Sequence, residues 1–343
     1  KYMSNKPPSE VPQGAIRFNT DSRKLEFYAQ DRWYEMATDF PYLGKQTDSP
    51  DKLPGARGIF AIAVTSPASE IDFITIPTRG ASTDFGNLSS NRANAAALAS
   101  RTRACFGSGY TGSDSTCTID FVTISSTGNA ASFGELPYKN YVPAAFSNQT
   151  RGIWAGGFNI PGGSHQNNIS FVTIASTGNA DDFGDLSVAR NSPVGLASPT
   201  RGVVAGGQNP TRYNIIEFVN ISSKGDSDDF GDLTQVKAGM AALASATRGI
   251  FAGGYTPTVV KKIERIEITS TGNSTDFGNL TTVRRFSGGM SDCVRGVVAA
   301  GHDPSATQNM DYFDIATDGN ADDFGDQGTA GQTSGTSNAH GGL

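Results

Sequence analysis

No stretch of the sequence approaches the roughly 18 consecutive apolar residues needed to cross a bilayer. Its first residues, Lys1-Tyr2-Met3-Ser4-Asn5-Lys6-Pro7-Pro8, lack the apolar core of a signal peptide. A soluble protein with no membrane insertion is expected, and a lysine at position 1 leaves open whether residues precede it. Cysteine is scarce. Three of them, an odd number, imply no disulfide framework. Cys105 and Cys117 could face each other across a hairpin, but buried free thiols are the expectation. Histidine is as scarce, and His165, His302 and His340 stand far apart with no metal-binding spacing. No nucleophile has a positioned base beside it. These absences predict no enzyme, no metal and no cofactor. Basic residues are also short in supply: the net charge is −6 and the one basic cluster is Lys261-Lys262, so nucleic acid is not an expected partner.

What the chain has in abundance is glycine, 41 residues in 343, with 37% hydrophobic and only 17% charged residues, a profile suited to many short strands and tight turns. It also repeats. Phe-Gly recurs at Phe85, Phe133, Phe183, Phe230, Phe277 and Phe324, at intervals of 48, 50, 47, 47 and 47 residues. A second series, Arg57, Arg103, Arg151, Arg201, Arg248 and Arg295, runs in register with the first, usually as Arg-Gly before an apolar run.

Within the unit from Ser187 to Asp232 the pattern resolves into four short strands. These are Val194 to Ser198, Gly202 to Ala205 ended by Gly206-Gly207, the β-branched and aromatic Ile215 to Ile221, and a short strand from Asp229-Phe230-Gly231 to Leu233. Four strands in roughly 45–50 residues make one blade of a β-propeller. The first unit begins at Arg57, on its second strand. Its missing strand is found at the other end, where Ser337-Asn338-Ala339-His340-Gly341 echoes Ser245-Ala246-Thr247-Arg248-Gly249. The C-terminal strand is therefore expected to complete blade 1 and leave no open edge. The predicted fold is an all-β, six-bladed propeller at 54–343, with seven blades the nearest alternative if further residues exist.

Residues 1–39 differ from the repeats. Ile16 with Phe18, and Leu25 with Phe27, alternate as in a half-buried hairpin, and Trp33-Tyr34-Glu35-Met36 follows. Three such strands cannot make an independent core, so this small β-hairpin module should pack on the propeller, on copies of itself or on another protein. Residues 40–53 read as the linker.

The double glycine after an apolar strand, in Ala155-Gly156-Gly157, Ala205-Gly206-Gly207 and Ala252-Gly253-Gly254, resembles the kelch repeat. Blade 1, with Ala61-Ile62-Ala63, and blade 2, with Gly107-Ser108-Gly109, depart from it, and Phe stands where kelch proteins often carry Trp. The segment Gly14-Ala15-Ile16-Arg17-Phe18-Asn19, with Leu25-Glu26-Phe27-Tyr28 and Trp33, resembles a motif of tailed-phage structural proteins. The Ser-Thr-Gly-Asn and Asp-Phe-Gly-Asp-Leu phrases look like kelch-like propellers of marine phages, cyanophages among them. The resemblance implies a virion protein: a tail fibre or adhesin whose propeller binds a host-surface glycan or protein and whose N-terminal module meets other virion proteins, as a homotrimer. The alternative is an architectural capsid, neck or fibre appendage that contacts only other virion proteins.

Two features bear on sites. Acidic turns such as Asp181-Asp182-Phe183-Gly184-Asp185 offer oxygens to calcium but lack EF-hand spacing, and Asx-turns or pairing with arginine explain them better. Arg201 is expected near Asp228, Asp229 or Asp232, and Arg295 near Asp322 or Asp323, in a structural ring of Arg–Asp contacts. The loops between second and third strands diverge from unit to unit, and they carry the candidate ligand-binding residues Tyr110, Phe158, Asn159, His165, Gln208, Arg212, Tyr213, Tyr255, Lys261 and His302.

Overall fold

The computed structural model describes residues 14–19, 24–29, 32–35, 56–63 and 68–343. Among these are 27 β-strands and no helix, so the protein is all-β. The expected linker at 40–53 lies outside the described residues. The chain divides into two compact units, Lys1–Leu53 and Pro54–Leu343.

In the first unit, Ile16–Asn19, Lys24–Ala29 and Arg32–Glu35 form a three-stranded antiparallel sheet in chain order. The register places Ile16 opposite Phe27 and Phe18 opposite Leu25. Because side chains alternate with period two, all four fall on one face. That face is open, with Ile16 64% and Phe18 59% exposed. The other face is closed by polar pairing: Glu26 accepts from Arg17 Nε at 2.7 Å and Asn19 Nδ2 at 2.8 Å. The Arg17 guanidinium lies over Trp33, which meets Tyr28 edge-on.

The second unit holds six four-stranded antiparallel sheets. Five are built in chain order from residues 96–140, 144–185, 194–232, 241–279 and 288–326. The remaining one, counted here as the first sheet, joins Arg57–Ala63, Ala68–Thr75 and Thr83–Arg92 to Gln332–Ser337, which supplies its first strand. Gln332 stands opposite Ala63 and Ser337 opposite Gly58. The shared register of the sheets is visible in the fourth, where Val194 faces Ala205 and Arg201 faces Asn220.

Apolar packing runs between sheets. Each repeated phenylalanine bridges its own sheet and the next: Phe183 meets Phe171 edge-on and lies with Val204, Val219 and Ile221, and Phe230 meets Phe218 and lies with Phe251, Ile266 and Ile268. Phe85, Phe133 and Phe277 do the same, and Phe324 of the sixth sheet packs on Phe60, Ile62, Ile74 and Ile76 of the first. Burying an aromatic side chain contributes on the order of 2–3 kcal/mol. The glycine after each phenylalanine has a steric reason. Gly231, at φ +144°, lies so close to the backbone of Gly272 in the next sheet that a Cβ would meet its carbonyl, and Gly325 meets Gly80 in the same way.

The expected Arg–Asp ring is not what forms. Arg57, Arg103, Arg151, Arg201, Arg248 and Arg295 donate to backbone carbonyls of the next sheet, those of Ile124, Ile174, Ile221, Ile268, Ile315 and Ile76 respectively. Arg201 does so at 2.7 Å with its guanidinium over Phe218, while Asp228 and Asp229 are exposed. Only Arg248 also has a carboxylate within reach, Glu267 at 3.1 Å and Asp318 at 3.6 Å. A carbonyl just past the end of the third strand has left the ladder, and a partly buried C=O needs a donor, whereas an exposed carboxylate can be met by solvent.

Candidate binding site at the loop end of the sheets

The first strands of the six sheets lie side by side: Ala96–Ala99 contacts Ala144–Ser147, that strand contacts Val194–Ala197, and the contacts continue through Ala241–Ala244, Gly288–Ser291 and Gln332–Ser337 back to Ala96–Ala99. Small residues at these positions leave a cavity of about 120 Å³, with Asn94, Val142, Ser192, Gly239, Phe286 and Thr333 near its rim. The rim is held by a chain of backbone bonds from sheet to sheet. Val142 N–H donates to Asn94, Ser192 to Val142, Gly239 to Ser192, Phe286 to Gly239 and Thr333 to Phe286, at 2.8–3.3 Å. The five acceptors share left-handed backbone, φ 51° to 62°. For Val142 and Phe286 that conformation costs on the order of 1–3 kcal/mol and persists only where the surroundings impose it.

Beyond this rim stand the divergent loops. Their bases pair with the segment before each first strand: Tyr110 with Ala93, Phe158 with Tyr141, Gln208 with Asn191, Tyr255 with Ala238 and His302 with Arg285. The corresponding loop of the first sheet, residues 64–67, lies outside the described residues. On one side Tyr110, Tyr141, Phe158 and His165 form a continuous row of rings, at centroid distances of 6.1, 5.8 and 4.8 Å. His165 Nε2 lies 3.1 Å from Asn191 Nδ2. On the other side Tyr255 donates its hydroxyl to Gln208 at 2.7 Å, and the guanidinium groups of Arg212 and Arg285 lie over its ring, at 4.4 and 5.0 Å. The two groups are linked through Asn191, whose side chain meets His165 and whose backbone pairs with Gln208. Burial raises the Tyr141 hydroxyl above its usual range, and the charges of Tyr255 and Tyr110 add to the shift.

Seven of the ten sequence-predicted residues are thus brought together: Tyr110, Phe158, His165, Gln208, Arg212, Tyr255 and His302. Three are not. Tyr213 turns its hydroxyl to the Asn209 carbonyl within its own loop, at 2.9 Å, and Asn159 accepts from Ser115 of the neighbouring loop, at 3.3 Å. Both support loops. Lys261 is exposed, and its side chain has no hydrogen bond or ion pair among the described residues. Tyr141, Arg285 and Phe286 were absent from the expectation because they precede the first strands rather than follow the second.

At the opposite end of the first strands a smaller cavity, about 50 Å³, is bordered by His340. Its Nε2 lies 3.0 Å from the Ala99 carbonyl and 3.2 Å from Ser147 Oγ. Gly341 N–H donates to Ala244. Residues 339–343 thus lie across strands of several sheets. Burial drops His340 to about 4, so its ring is neutral at pH 7.

A set of buried ion pairs between sheets went unread in the sequence. Arg92 meets Asp120 at 3.0 Å, Arg190 meets Glu217 and Lys237 meets Glu264 at 2.5 Å, and Arg284 meets Asp311 at 2.8 Å, all essentially without solvent contact. Burial pushes the Glu217 and Glu264 carboxyls up, but the adjacent Arg190 and Lys237 and the hydrogen bonds from Ser187, Ser274 and Thr234 hold them below the usual carboxylate range. At the equivalent boundary between the second and third sheets both charges are absent, replaced by Asn140 and Ser170. Between the sixth and first sheets the carboxylate remains as buried Asp72, but Gly331 holds the cation's place, and Asp72 accepts from Ser82 instead, at 2.5 Å. These positions also recur in the repeat's register, and that was the signal available. Cys105, Cys117 and Cys293 are free thiols, and among the described residues no three His, Cys, Asp or Glu side chains are grouped as a metal site requires. No family model matches the chain, and no curated protein matches its sequence.

Proposed function

We propose that this chain is a virion protein of a tailed phage, in which a closed six-bladed kelch-like β-propeller binds a host-surface molecule and the N-terminal module joins the protein to other virion proteins and to further copies in a homotrimer. Support for the propeller comes from the six four-stranded sheets, from the pairing of Gln332–Ser337 with Arg57–Ala63, and from packing that passes from each sheet to the next and from the sixth to the first. Support for attachment through the N-terminal module is its open apolar face, Ile16, Phe18, Leu25 and Phe27, on a sheet too small to be stable alone. The observation that carries the binding role is the gathering of the ring row Tyr110, Tyr141 and Phe158, and of Tyr255 with Arg212 and Arg285, on the divergent loops at one end of a repeated frame, the two linked through Asn191. Rings supply contact area and the polar groups fix orientation.

The test has two arms. Negative-stain images of virions labelled with antibody to the propeller should place it at distal tips, and Tyr141→Ala with Tyr255→Ala should reduce attachment to host cells while the fold melts as before. Label at the capsid or neck, with undiminished attachment by the double variant, would instead establish the architectural role.

A further inference from the structure

The loop cluster contains two cations that the fold does not use. Every other partly or fully buried arginine described in the six sheets has a hydrogen bond or an ion pair: the Arg57 series donates to carbonyls, and Arg92, Arg190 and Arg284 meet carboxylates. The side chains of Arg212 and Arg285 have neither among the described residues. Each is half-buried, each stacks on Tyr255, and Arg285 also lies over Phe286 at 5.5 Å. Their Nε atoms are buried without a hydrogen-bond partner, as is Nδ1 of His302, whose backbone pairs with that of Arg285. Stacking holds each guanidinium plane and leaves its two terminal nitrogens to meet a ligand. Nε is also unpartnered at Arg92, Arg190 and Arg284, but those arginines meet carboxylates, whereas no guanidinium nitrogen of Arg212 or Arg285 has a partner among the described residues.

We propose that Arg212 and Arg285 form an acid-recognition site for a carboxylate- or sulfate-bearing sugar, whose ring packs on the row Tyr110, Tyr141 and Phe158 while its acid group takes the free guanidinium edges. This rests on the reading of the loop cluster as a binding site. Two arginines beside aromatic rings suit one planar or tetrahedral acid group at short range, and charge-assisted, bidentate bonds supply orientation. A chain of net charge −6 has no broad positive field to gather a polyanion, which favours one acid group on a sugar over a nucleic acid.

The experiment is calorimetric titration of the full chain with trigalacturonic acid, with a sulfated galactose trisaccharide, with neutral galactotriose and with a glutamate-rich peptide. At least one acidic sugar should bind about tenfold or more tightly than the neutral one, a margin of the size a charge-assisted pair provides. Arg212→Gln with Arg285→Gln should erase that margin with only a small change in melting temperature, since neither side chain hydrogen-bonds to the fold, and Arg285→Lys should recover only part of it. Tyr110→Ala with Tyr141→Ala should weaken acidic and neutral sugars alike. Equal binding of acidic and neutral sugars would overturn the acid-recognition site and leave the binding role of the cluster standing. Binding of the peptide alone would overturn the sugar site and leave the binding role standing, whereas binding unaffected by the arginine and tyrosine variants would overturn both.

Discussion

Arg190 and Glu217 stand 2.5 Å apart, neither side chain reaching solvent, and join the third sheet to the fourth. Glu217 also accepts from the Ser187 N–H at 2.9 Å. Removing one partner would leave an uncompensated buried charge. Glu217→Gln is expected to destabilise the larger unit by about 3–5 kcal/mol, measured by urea unfolding. Ser170→Ala, at the boundary where the repeat carries no charges, should cost less than about 1–2 kcal/mol. Equal losses at the two positions would show that the charges add nothing beyond packing.

Acid should act on the same pairs. The Glu217 and Glu264 carboxyls lie below their ordinary value in the folded chain. Their contribution is therefore complete above the unfolded carboxylate pKa and is lost as pH falls through the lowered folded value. His340 acts in a higher window. Its folded value, about 4, is below the unfolded 6.5, so protons favour the unfolded ring and stability declines as pH drops from about 6.5 toward 4. His340→Asn should flatten the melting temperature between those values, leaving the steeper loss at lower pH. A slope unchanged in that variant would rule His340 out as its source.

Gly231→Ala tests the close approach of adjacent sheets. The added methyl would meet the Gly272 carbonyl across the boundary, at a φ of +144° that alanine rarely adopts. A loss of more than about 2 kcal/mol in thermal or urea unfolding is expected. Gly272→Ala, where a Cβ has open space but φ is +157°, should cost less.

The boundary between the sixth and first sheets should open first. It keeps Phe324 on its apolar cluster and Arg295 on the Ile76 carbonyl, but among the described residues it has no buried ion pair. Gln327, in the place held by Leu88, Leu136, Leu186, Leu233 and Leu280 elsewhere, has a buried Oε1 without a hydrogen-bond partner. Native-state hydrogen exchange should show lower protection in Gln332–Ser337 than in Val194–Ala197. Equal protection would mean that this boundary is as firm as the others.

Local spacing decided much of this protein before any tertiary contact. Strand length, period-two alternation and turn residues are properties of short segments. The Phe-Gly and Arg series therefore pointed to four-stranded units, and the echo of Ser245 to Gly249 at Ser337 to Gly341 pointed to the pairing of Gln332–Ser337 with Arg57–Ala63. Partner choice between sheets was decided elsewhere. Arg201 chose the Ile268 carbonyl over Asp228 because the packing of neighbouring sheets brings a C=O that has left its ladder within reach, a relationship 67 residues away that no local pattern encodes. Arg190 with Glu217, and Tyr110 with Tyr141, likewise meet only when sheets are set side by side. The loop residues could be named from their divergence. Which of them share a site depended on backbone paths: Tyr213 turned back to Asn209, while Arg212, its neighbour in sequence, came to rest on Tyr255 from another sheet.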